Sequence, residues 1–185
     1  MWKILNREIL IDAMPWVRVS TEHVQLPNGV EIRDFYRVDI TPYVMIFALT
    51  DDHRVALLEH YRHGPQTTTL DLPAGYIEND DDALETARRE LREETGLVSE
   101  NWLSFGKQFI DGNRGCGWVY CYLARDARIE GKPQPEATEI MTVHLKTLNE
   151  VYNLWCDGQI LNAAATSIIG RSLVEIGYLR KQDDQ

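Results

Sequence analysis

The sequence predicts an α/β (α+β) protein with a mixed central sheet. Three observations carry that expectation. Val44 to Leu49 is a continuous apolar run, the pattern of a strand buried on both faces. Val17, Val19 and Thr21 alternate with charged or polar neighbours, as on a half-buried strand. Asp82 to Thr95 is rich in helix formers and stops at Gly96, and two further helix signals close the chain. The resulting order is strands, helix, strands, helix, helix. At 185 residues the chain is expected to form one compact domain with a small appended element.

Taken in order, Ile4 to Ile11 is a mixed apolar segment read as a strand. Pro27-Asn28-Gly29 is a turn signal and Val30-Glu31-Ile32-Arg33 resumes the alternation, so a hairpin is expected. Asp51-Asp52 marks a turn, and Arg54 to Tyr61 returns as a strand. Leu70 to Gly75 reads as the approach to a loop. Beyond the helix, Trp118 to Ala124 is β-like, Gly131 to Pro135 is a loop, and Met141 to Lys146 is a short strand. Thr147-Leu148-Asn149-Glu150 fits a capping box that opens a helix ending near Gly158. Asn162 caps a last helix directed towards Leu179.

Composition narrows the function classes. Hydrophobic residues make up 44% and charged residues 26%, as in an ordinary globular protein. The formal net charge is −10, which argues against broad nucleic-acid binding. It leaves phosphate substrates open, because divalent cations invert a local field. No apolar run approaches the roughly 18 residues of a membrane span. The N-terminus carries Lys3, Arg7, Glu8 and Asp12 and does not read as a signal peptide, so a cytoplasmic location is expected. Cys116, Cys121 and Cys156 match no zinc spacing and read as reduced packing residues.

The helix from Asp82 to Thr95 holds the most chemistry. At about 100° per residue, Leu84, Ala87 and Leu91 form the stripe that faces the core. Glu90, Glu93 and Glu94 fill the neighbouring arc, while Arg88, Arg89 and Arg92 point elsewhere. Like charges at i,i+4, such as Glu90 and Glu94, cost roughly 0.2–0.5 kcal/mol even when exposed. A hard divalent cation with oxygen ligands would relieve the repulsion. The plainer reading is a solvated helix laced with ion pairs, Glu85 with Arg89 and Arg89 with Glu93.

Gly75, Asp81, Arg89-Glu90-Leu91, Glu93-Glu94 and Gly96-Leu97 stand at the spacing of the Nudix box, G-x5-E-x7-R-E-U-x-E-E-x-G-U with U apolar, and the chain resembles that family. Asp81 is the one departure, standing where the family has Glu. His60-Tyr61-Arg62 is similar to the family's Q-Y-R segment, and Leu72-Pro73-Ala74-Gly75 to its L-P-A-G. Gly158-Gln159-Ile160, the small residues Ala163 to Ser167 and the N-terminal strands resemble the ADP-ribose pyrophosphatase branch.

The resemblance implies a Nudix-type α/β/α sandwich over residues 43–185, preceded by an antiparallel β element over 1–42 that dimerises. It implies hydrolysis of a nucleoside diphosphate linked to a sugar, with Mg²⁺, or Mn²⁺ as a substitute. Metal ligands carried over are Glu90 and Glu94, with Glu93 beside them, and the carbonyl of Ala74. Gly75, Asp81, Arg89 and Gly96 are structural positions of the box, with Asp81 expected to pair with Arg89. Arg62 corresponds to an arginine on the substrate diphosphate, and Asp71 and Arg114 are further substrate-side candidates. Asp71 either orients Arg62 or sits in the sheet.

The general base should come from the loop Gln134 to Glu139, with Glu139 and Glu136 both open. Glu93 is a further catalytic candidate. His60 and His63 read as surface or substrate-edge residues, and Trp16, Trp118 and Trp155 as core or dimer packing rather than base-stacking residues. Members selective for ADP-ribose often carry a proline where this chain has Gly112, so other ADP- or GDP-sugars stay open. The expected partners are a small-molecule nucleotide sugar and a second copy, with Trp16 to Arg33 in the interface, and neither nucleic acid nor membrane. A non-catalytic nucleotide-binding sensor is the competing reading.

Overall fold

The computed structural model describes residues 1–78, 81–135 and 138–179. Its strands are β1 (Lys3–Ala13), β2 (Val17–Gln25), β3 (Glu31–Asp39), β4 (Tyr43–Thr50), β5 (Arg54–Arg62), β6 (Thr67–Asp71), β7 (Ala74–Tyr76), β8 (Leu97–Val98), β9 (Asn101–Asp111), β10 (Gly115–Ile129) and β11 (Met141–Thr147). The helices are α1 (Ala83–Thr95), α2 (Leu148–Cys156) and α3 (Ala163–Glu175). The strand order is β1-β2-β3-β10-β4-β5-β11, with β6 on β5, β7 on β4, and β8 and β9 on β10. Only β10 runs parallel to β3 and β4 among these pairs, which makes the sheet mixed, as the sequence predicts.

The central strand explains the layers. Alternate residues of β4 enter two separate cores. Met45, Phe47 and Leu49 pack with Ile168, Ile169 and Leu173 of α3 and Val151 of α2. Val44, Ile46 and Ala48 pack with Ala87 and Leu91 of α1. Helices therefore cover both faces of the sheet. No helix among the described residues is long and apolar enough to cross a membrane.

The helix boundaries follow their caps. Asp82 Oδ1 accepts from the N–H groups of Leu84 and Glu85, and Gly96 closes α1 in the left-handed conformation at φ 73°. Gly96 is also required by space, because a Cβ there would meet the Gly131 carbonyl oxygen at 2.4 Å. Thr147 and Glu150 form the expected capping box of α2. Asn162 caps α3, which ends at Glu175, short of Leu179.

Some expectations need correction. The segment Leu70 to Gly75 that leads into the loop carries strand structure not foreseen, with β6 and β7 bracketing Leu72-Pro73. Strand β9 lacked a clean signal, and its pairing with β10 supplies what its mixed pattern does not. Of the cysteines, only Cys121 is buried; Cys116 is half-buried and Cys156 exposed, and all three are free thiols.

The N-terminal hairpin differs from the rest in its surface. Every residue of β1 is exposed, with Ile4, Leu5, Ile9, Leu10 and Ile11 each roughly half accessible, and Trp16 in the following turn is 71% exposed. Strand β2, by contrast, buries Ser20, Glu22 and Val24.

Candidate active site

The buried stripe of α1 sets the rotation of the helix. Ala87 and Leu91 are fully buried against β4. The adjoining positions, Glu90 and Glu94, are drawn inward with them and retain only 7% and 4% exposure. Glu93 lies farther round and keeps 44% of its side chain accessible. The acidic arc thus divides into two buried carboxylates and one at the surface.

Strand β7 meets this arc at close range. The Ala74 N–H donates to Glu94 Oε2 at 2.9 Å. At Gly75 a Cβ would lie 1.9 Å from Glu90 Cδ, so the Glu90 carboxylate occupies the space a side chain would need. The glycine of the motif therefore has a packing reason, independent of any left-handed backbone.

Burial pushes the Glu90 carboxyl up to about 7, with Arg89 opposing the rise and Glu93 and Glu139 adding to it. Burial likewise pushes Glu94 up to about 8; the Ala74 N–H and Arg62 oppose, while Glu90 and Glu139 add to the rise. Glu139 of the loop after β10 thus acts on both buried acids, and Arg62 at the end of β5 acts on Glu94. Glu136, the alternative loop acid, lies outside the described residues.

Arg89 corrects an expectation. Its guanidinium does not point away from the acids but folds across them, 2.8 Å from Glu90 Oε1 and 2.9 Å from Glu93 Oε2. Among the described residues, these two carboxylates are its ion-pair partners rather than Asp81, whose N–H instead bonds the Glu78 carbonyl at 2.8 Å. Glu85 pairs with Arg88 rather than Arg89.

Arg62 reaches the Asp71 carboxylate at 3.3 Å. Asp71 is 1% exposed, so it has almost no surface of its own to offer a substrate. His60 is not a surface residue: its side chain is 9% exposed and its Nε2 lies 3.9 Å from Asp71 Oδ2. Asn162 donates to the same oxygen at 3.0 Å. Alternation along β5 puts His60 and Arg62 on one face and was available as a signal for His60. Asn162 follows Asp71 by 91 residues, and nothing local announces the contact. Arg114 is 62% exposed, pairs with Asp111, and takes no part in the interactions that join the carboxylates. Trp16 and Trp118 are exposed, whereas Trp155 packs on the α3 core and donates to the Thr166 carbonyl.

The donor set suits a hard cation. Every side-chain donor is a carboxylate oxygen, and two of the acids are buried beside each other with an incomplete share of positive charge. Among the described residues no three His, Cys, Asp or Glu side chains are already gathered into a ligand group.

Residues 39–162 match the NUDIX domain family. The chain is 30% identical over 151 residues to an ADP-ribose pyrophosphatase of Mycobacterium tuberculosis (strain ATCC 25618 / H37Rv), a match covering 78% of this chain and 70% of that protein. It is 34% identical over 90 residues to a methanol dehydrogenase activator of Bacillus methanolicus, covering 47% of this chain. That match spans 48%, about half, of the activator's length. Among solved structures, an ADP compounds hydrolase shares the fold at a TM-score of 0.81 and 22% identity, over 96% of this chain and 97% of that one.

Proposed function

The chain belongs to the NUDIX family, in its ADP-ribose pyrophosphatase-like branch, and on that premise we propose a substrate and a division of labour. The protein hydrolyses the diphosphate bridge of a nucleoside diphosphate joined to a sugar, ADP-ribose first among the candidates. The products are a nucleoside monophosphate and a sugar phosphate. The observation that carries this reading is the pair of buried acids, Glu90 and Glu94, held against Ala74 and Gly75 under the influence of Glu139 and Arg62.

Glu90 and Glu94, with Glu93 and the Ala74 carbonyl beside them, would hold Mg²⁺, or Mn²⁺ in its place. The cation would neutralise diphosphate oxygens and acidify the attacking water. Arg62 offers a forked guanidinium to the diphosphate, a planar donor set suited to two phosphate oxygens. Glu139 removes the proton of the attacking water, and Glu136 is the alternative for that step. Arg89 holds Glu90 and Glu93 in place, because its charge offsets part of their repulsion. The acidic balance of the chain favours this small substrate over a nucleic acid. The exposed apolar face of β1 together with Trp16 supports assembly as a homodimer through the N-terminal strands.

The test is nucleoside monophosphate formation from ADP-ribose, ADP-glucose, GDP-mannose, a dinucleotide and nucleoside triphosphates, with and without Mg²⁺. Cation-dependent cleavage of a nucleotide sugar is the expected result. No cleavage of any of them would leave a binding module as the better description.

A further inference from the structure

Asp71 closes β6 as a buried carboxylate that stays ionised. Burial alone would raise its pKa, but His60, Asn162, Arg62 and the Leu72 N–H together hold it below the usual carboxylate value. Its two oxygens are divided among these groups. Oδ1 accepts from the Leu72 N–H at 2.9 Å. Oδ2 accepts from Arg62 at 3.3 Å and from Asn162 Nδ2 at 3.0 Å.

Asn162 has a second task. Its Oδ1 accepts from the N–H groups of Ala164 at 3.0 Å and Ala165 at 3.4 Å, which caps α3. An amide has one oxygen and one NH₂ group. With the oxygen committed to the helix, the NH₂ is turned to Asp71, and the α3 N-terminus becomes the fixed end of a chain of contacts. The other end is mobile by nature: Arg62 is a long side chain at the end of a strand, 46% exposed, with one ion-pair partner among the described residues.

We propose that Asn162 is a positioning residue, which aims the Arg62 guanidinium at the substrate diphosphate by fixing the Asp71 carboxylate between them. The inference rests on the diphosphate-hydrolase reading above and adds to it a role for the start of α3. Loss of the Asn162 donor frees Asp71 to turn about its side-chain bonds. Arg62 then samples more rotamers, and substrate binding bears the cost of ordering it.

Asn162→Ser separates the two tasks, since serine caps a helix about as well as asparagine but presents no NH₂ to Asp71. Asn162→Asp keeps the cap and sets a carboxylate against Asp71, providing a second variant should the first fold poorly. Steady-state kinetics on ADP-ribose would be measured for wild type, each variant, Arg62→Ala and the double variants, with melting temperatures alongside. KM should rise about tenfold in Asn162→Ser with kcat within about twofold, and the effect should vanish in the Arg62→Ala background. An unchanged KM, or an equal loss with Arg62 already removed, overturns the inference and leaves Asn162 a cap alone. A wild-type protein that cleaves no nucleotide sugar would instead overturn the underlying functional reading.

Discussion

Gly75 and Glu90 occupy one volume: a Cβ on the first would lie 1.9 Å from the carboxyl carbon of the second. The contact links strand β7 to helix α1 at the point where both buried acids gather. Gly75→Ala should therefore drive the Glu90 carboxylate out of its place while the backbone stays tolerant of alanine. Turnover should fall by about a hundredfold or more, as when a charge-stabilising group is misplaced. A Mg²⁺ titration should show weaker binding in the same variant. Wild-type kinetics in Gly75→Ala would mean that Glu90 does not need this position.

Glu94 bonds the helix directly to β7, through the Ala74 N–H. Glutamine keeps an acceptor oxygen for that bond and removes only the charge. Glu94→Gln should thus fold normally, yet lose about a hundredfold or more in turnover because charge on the reacting diphosphate is less well compensated. Turnover within a few-fold of wild type would remove Glu94 from the site.

Glu139 acts electrostatically on both buried acids. As the proposed base it should affect the rate without holding the cation. Glu139→Gln is expected to lower turnover by about a hundredfold, within the range of general-base contributions, and to leave Mg²⁺ affinity near wild type. Weakened Mg²⁺ binding would make it a ligand instead. Glu136→Gln, measured in parallel, decides between the two loop acids.

Much of this arrangement was legible in the sequence because it rests on local periodicity. The apolar run of β4, the caps Thr147 and Asn162, the stop at Gly96 and the acidic arc of α1 are all readable from neighbours within a turn or two. What escaped depends on contacts between distant segments. The pair of Arg89 with Glu93 follows from i,i+4 spacing, but the reach of the same guanidinium to Glu90 is a choice among rotamers that spacing does not determine. The burial of His60 beside Asp71, and the reach of Asn162 to the same carboxylate, require β5, β6 and α3 to be assembled first. Strand β9 has no clear pattern of its own, because pairing with β10 defines it.

The proposed dimer has its own test. An arm whose outer strand exposes Ile4, Leu5, Ile9, Leu10 and Ile11 would be poorly suited to water if nothing covered it. Sedimentation should give a mass near twice the 21.3 kDa of the chain. Ile9→Asp with Ile11→Asp should shift the protein to the monomer, because apolar burial across the interface would be exchanged for buried charge. A stable wild-type monomer at micromolar concentration contradicts the proposal.

The buried acids also set a pH dependence whose sign is fixed. The ordinary value of a glutamate is 4.5, and the folded protein raises Glu90 to about 7 and Glu94 to about 8. Between those limits the native state binds more protons than the unfolded chain, so stability falls as pH rises. The stabilisation is fully present below the unfolded value, declines between it and the two folded values, and is gone above them. The melting temperature of the metal-free protein should accordingly drop from pH 6 to pH 9, and excess Mg²⁺ should restore part of the loss while releasing protons as it binds. Glu94→Gln removes one of the two titrating groups, so its melting temperature should vary less over the same interval. An identical slope in wild type and Glu94→Gln would show that Glu94 is already ionised in the folded protein.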